Sequence, residues 1–175
     1  MSKMKIDWRR ALATLAMAAV MAASAQINAP MHPVPMTLQS AAVLLAGVWL
    51  GPASGVASVL IYLGAAAIGL PVLAEGAGGV GRFVGPTAGY LFAFPVAAGL
   101  AGEAARRSWM ARPIVGTAIL CAAHLLLLGL GTAWLARSLG WVEAAAVGFT
   151  PFLIGAVVKS ALVWFVWRGL RKIRL

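Results

Sequence analysis

Acidic side chains are nearly absent from this sequence: Asp7, Glu75, Glu103 and Glu143 are the complete set. No two of them form the carboxylate pair or metal cluster that acid–base or metal-assisted chemistry needs, and no serine lies in a nucleophile motif. Cysteine is limited to Cys121, inside an apolar run, which excludes a disulfide framework and a CxxC metal site. His32 reads as a plain loop residue and His124 as a satisfied helix-packing histidine, neither with a metal-ligand companion at suitable spacing. The phosphate loop GxxxxGK[ST] is missing, so ATPases would have to be separate chains. These absences argue against an enzyme, call for no cofactor or metal, and leave binding and transport as the expected role.

Charge is scarce as well. Only 10% of residues are charged while 62% are hydrophobic, and a soluble fold of this size could neither hide that much apolar surface nor solvate its exterior with so few charges. The surrounding solvent is therefore expected to be lipid. The net charge of +10 would also suit a nucleic-acid binder, but the placement of the basic residues decides against one. Lys3, Lys5, Arg9 and Arg10 precede the first apolar run, Arg106, Arg107 and Arg112 share one gap, and Arg168, Arg171, Lys172 and Arg174 follow the last run. Basic clusters in alternate inter-helix segments are the positive-inside pattern. It predicts a multi-pass inner-membrane protein with both termini cytoplasmic.

A spanning helix needs ~20 mostly apolar residues, fewer where neighbouring protein shields its ends. Six spans are expected in a single all-α transmembrane domain, at about 11–27, 38–50, 53–70, 87–105, 114–134 and 151–170. The basic start and the small-residue triplet Ala23-Ser24-Ala25 also fit a cleaved signal peptide, but the apolar stretch exceeds the usual ~7–15 residues, so the first helix is expected to stay. Gly51-Pro52 stops the short second helix, and short helices suggest a cavity. Residues 135–150, with Arg137, Trp141 and Glu143, read as an interfacial segment.

Lys159 carries the sharpest signal. It lies eight residues after Pro151, hence roughly 12 Å below the outer end at 1.5 Å per residue. An ionisable side chain at that depth usually faces the bundle interior or a wet cavity and is functional, although a snorkelling or structurally paired lysine would also fit. Gly76, Gly78 and Gly81 formally satisfy GxGxxG, but the strand and helix of a dinucleotide-binding unit are missing around them. Those glycines suit a lid that approaches a ligand closely, or simply a flexible connector. From the same loop Arg82 is placed to clamp a carboxylate, and Glu75 to accept from amide-like N–H groups or to pair with Lys159. Thr37, Gln39, Tyr62 and Tyr90 bring neutral polar groups to the outer half.

Several runs resemble a known family when taken together and in order: Pro33-Val34-Pro35-Met36-Thr37-Leu38-Gln39, Gly51-Pro52, Ser58-x-x-x-Tyr62, Ile68-Gly69-Leu70-Pro71-Val72, Gly78-Gly79-x-Gly81, Gly85-Pro86-Thr87-Ala88-Gly89-Tyr90-Leu91, and Pro151-Phe152 with Gly155 and Lys159. The family is BioY, the substrate-binding S components of energy-coupling-factor biotin transporters. The resemblance implies an S-component-like bundle of six helices, and a biotin pocket near the outer face closed by the first and third connecting loops. It also implies partners on separate chains, a transmembrane coupling subunit and two ATPase subunits. The coupling subunit would meet an Ala-x-x-x-Ala surface on the first helix, either Ala18 and Ala22 or Ala19 and Ala23. The family motif commonly has an acidic residue three positions before the lysine, where this chain has Ala156. Glu75, at a loop position often occupied by glycine in the family, is then the substitute acceptor. An S component for another vitamin, a membrane scaffold or assembly factor, and a homo-oligomeric form all stay open at this point.

Overall fold

The computed structural model describes residues 7–29 and 31–172. Lys3, Lys5 and Arg174, counted above among the basic clusters, lie outside the described residues. Among the described residues there are seven α-helices: α1 (Trp8–Ala25), α2 (Gln39–Leu50), α3 (Pro52–Ala67), α4 (Ala88–Arg106), α5 (Pro113–Leu139), α6 (Trp141–Gly148) and α7 (Leu153–Leu170). It is an all-α membrane protein. Ala88–Arg106, Pro113–Leu139 and the stretch Trp141–Leu170 are long and apolar enough to cross a membrane, and Gln39–Leu50 and Pro52–Ala67 are shorter apolar helices.

Local chemistry sets the helix ends. Asp7 caps α1 by accepting from the Arg10 backbone N–H at 3.5 Å, which satisfies one of the donors a helix start leaves unpaired. Gly51, with φ of +81°, turns the chain between α2 and α3, and Pro52 then opens α3 where its missing N–H costs nothing. Residues 135–150, read from sequence as an interfacial segment, divide between the last turn of α5 and the short α6. Arg137 lies in the last turn of α5 with its guanidinium over the Trp134 ring, 4.7 Å from the centroid, an attractive cation–π placement.

Packing is organised around α4, which contacts α2, α3 and α5, while α1 lies on α2 and α3, and α7 on α5 and α2. Lipid is as apolar as the helices, so close backbone approach rather than the hydrophobic effect holds such a bundle together. Two glycines make that approach possible. A Cβ at Gly47 of α2 would run into the Ala98 carbonyl of α4, and one at Gly102 would sit 2.5 Å from the Pro52 nitrogen at the α2–α3 corner. The resulting tight junction lies beside the Gly51 corner, so the opposite ends of α2 and α4 are free to splay around a cavity.

Candidate functional site

Two loops roof that cavity. The first joins α1 to α2 and is pinched by a two-residue antiparallel ladder, Asn28 with Thr37 and Ala29 with Met36, which holds Met31 to Pro35 against the opening. The second joins α3 to α4. Gln26, at the end of α1, ties it down by donating through Nε2 to the Leu73 carbonyl at 2.9 Å and accepting through Oε1 from the Gly76 N–H at 3.1 Å. Between these anchors Glu75 adopts a left-handed conformation with φ of +59°. A side chain there costs about 1–2 kcal/mol per residue, which gives a physical reason for glycine to be at ease at that position.

The space beneath the loops measures about 1040 Å³ when the open solvent at its mouth is counted. Lys159, Gln39, Thr37, Arg82, Glu75 and Tyr90 all line it. Glu75 and Arg82 are exposed at the mouth, whereas Gln39 and His124 are buried. Lys159 reaches from α7 to the first turn of α2, where Nζ donates to Ser40 Oγ at 3.3 Å. Its expected pairing with Glu75 is not formed: the ion pairs among the described residues are those of Glu103 with Arg106 and Arg107. An ammonium held inside a bundle beside a neutral hydroxyl is therefore left to meet a ligand oxygen.

Gln39 has a fixed orientation. The Tyr62 hydroxyl donates to the Val72 carbonyl at 3.1 Å, so it accepts from Gln39 Nε2, at 2.7 Å. Gln39 Oε1 makes no hydrogen bond among the described residues and is the end of the amide available as an acceptor. The Gln39 N–H is in turn taken by Thr37 Oγ1 at 3.2 Å.

One expected contact needs correction. Tyr62 is fully buried and does not line the cavity; it acts through Gln39. Tyr90 presents its ring to the cavity, but its hydroxyl donates to the Gly148 carbonyl at 2.8 Å and lies 3.3 Å from Thr132 Oγ1, so it braces α4 against α5 and α6. The helix-face expectation also shifts. Ala18 is buried and Ala22 packs on the core, whereas Ala19 and Ala23 are exposed. The open small-residue pair on α1 is therefore Ala19 and Ala23.

Ser40, His32 and His124 were missed as lining residues. Ser40 and His32 carry no sequence signal beyond proximity to Gln39 and the proline run. His124 sits in an apolar helix, where a packing role was the economical assumption.

Comparison with known proteins agrees with this architecture. Residues 1–174 match the profile of the BioY family. The chain is 38% identical over 143 residues to a probable biotin transporter BioY of Pyrococcus horikoshii, covering 82% of this chain and 84% of that one. It is 39% identical over 153 residues to the biotin transporter BioY of Rhodobacter capsulatus, covering 81% and 80%. The crystal structure of an S-component for biotin from an ECF-type ABC transporter superposes with a TM-score of 0.86 at 26% identity, covering 99% of this chain and 96% of that one.

Proposed function

The chain belongs to the BioY family, and from that membership we propose that it captures biotin in the roofed cavity as the substrate-specific component of an ECF-type transporter. The observation that carries this reading is the conjunction of a held acceptor, Gln39 Oε1, with an ammonium lacking a carboxylate, Lys159 Nζ, in one cavity that also has an apolar wall. The ureido ring of biotin offers an N–H to the first and a carbonyl oxygen to the second. A carboxylate has no N–H to give, so the ureido end goes to the buried part of the cavity. The carboxylate then stays at the wet mouth, where its desolvation cost is smallest and Arg82 can bind it. Leu91, Phe94, Leu127 and Leu128 supply the apolar wall for the thioether ring and chain. The ligand-binding set is thus Lys159, Gln39, Thr37 and Arg82, with Tyr62 and Tyr90 positioning the walls; Glu75, exposed at the mouth with the carboxylate end, does not serve as the acceptor for ureido N–H groups at the buried end.

The role is binding and uptake rather than catalysis. It places the protein in the cytoplasmic membrane with both termini inside, in keeping with the basic clusters at Arg9 and Arg10, Arg106 to Arg112, and Arg168 to Lys172. A transmembrane coupling subunit and two ATPase subunits complete the transporter, and α1 offers Ala19 and Ala23 to the former. Competition binding tests the substrate. Purified protein loaded with radiolabelled biotin should release it to excess unlabelled biotin but not to excess thiamine or riboflavin. Displacement by another vitamin at equal concentration would overturn the assignment.

A further inference from the structure

His124, on α5, is 2% exposed and lines the cavity. Its Nδ1 lies 2.9 Å from Ser160 Oγ of α7 and 3.3 Å from the Leu120 carbonyl one turn back on its own helix. Ser160 has a single hydroxyl proton, and it is committed to the Ala156 carbonyl at 2.7 Å. Toward His124, Ser160 can therefore only accept. Both neighbours of Nδ1 are acceptors, which fixes the proton on Nδ1 and leaves Nε2 as a bare lone pair.

Nε2 is buried and has no hydrogen-bond partner among the described residues. A buried acceptor left unmatched is costly and calls for an explanation, and a second proton would only exchange it for an unpaired buried cation. Of the α7 residues that line the same cavity, Ala156 offers only a methyl group and Lys159 donates to Ser40. Resting on the biotin reading above, we propose that His124 Nε2 accepts a hydrogen bond from a ureido N–H of the bound ligand, with Ser160 as the positioning residue that sets the tautomer. His124 is thus a specificity-determining residue for ligands that carry an N–H at the buried end.

The test measures binding of biotin and of its two mono-N-methyl ureido derivatives to the parent and to His124→Phe. In the parent, methylation of the bonded nitrogen should weaken binding by about tenfold to a hundredfold, since it leaves a buried acceptor unpaired. His124→Phe should bind biotin more weakly by a similar factor and no longer distinguish biotin from that derivative. Unchanged affinity and discrimination in His124→Phe would overturn the proposal. A second readout needs no variant. His32 and His124 are the two histidines, so in protein labelled with 15N at histidine the unprotonated His124 Nε2 resonance should move when biotin is added. If biotin binds the parent and that resonance stays in place, the role of His124 is wrong while the biotin reading stands. If the parent binds no biotin, the reading itself fails, and the role of His124 with it.

Discussion

Replacing Lys159 by methionine should weaken biotin binding by about tenfold to a hundredfold while leaving the bundle as stable as the parent, or slightly more so. The ammonium makes one hydrogen bond within the protein, to Ser40, and no ion pair among the described residues. Removing a charge that is held in the bundle without a counter-charge also removes its desolvation cost. Toward a ligand the balance is reversed, since a hydrogen bond to a charged group contributes roughly 1.5–3 kcal/mol and 1.4 kcal/mol is a factor of ten. Equilibrium binding of radiolabelled biotin together with thermal unfolding in detergent separates the two effects. Arg82→Ala, at the exposed mouth where solvent screens the pair, should cost less than Lys159→Met. Full affinity in Lys159→Met would remove the lysine from the site.

Introducing tryptophan at both Ala19 and Ala23 should abolish most biotin uptake by cells that also express the coupling and ATPase subunits, yet leave biotin binding by the purified protein unchanged. Both alanines are exposed on α1, away from the cavity lining, so the change does not reach the ligand. Overfilling a close helix contact costs about 1–3 kcal/mol, a five- to hundredfold loss of assembly. Tryptophan at Ala18 should instead destabilise the protein itself, because Ala18 is packed in the core. Normal uptake by the doubly substituted chain would show that the coupling subunit docks elsewhere.

The contrast between Ala18 and Ala19 marks the boundary of what the sequence could convey. Existence of the helices was legible, because long apolar runs and the Gly51-Pro52 break are local signals. Which face of a helix turns inward was not, because in lipid the outer face is as apolar as the inner one and no amphipathic stripe separates them. The cavity was legible through its expensive members, Lys159 above all, since a buried charge stands out in an apolar run. Cheap members were hidden. Nothing in the sequence distinguishes a His124 that packs from one that faces a ligand, since the difference lies in Ser160, 36 residues away, and in where its one proton goes. Tyr62 erred in the other direction: a polar side chain of the right type at the right depth proved to hold Gln39 and not to line the chamber. Glu75 shows how conformation adds information, its φ of +59° placing a carboxylate on a turn that costs nothing for glycine.

Native mass spectrometry of the detergent-purified protein, expressed in medium containing biotin, reaches the central claim most directly. The account predicts a species heavier than the chain by one biotin, with Lys159→Met purified in parallel largely free of it. A parent protein that stays at the mass of the bare chain after incubation with excess biotin would contradict it.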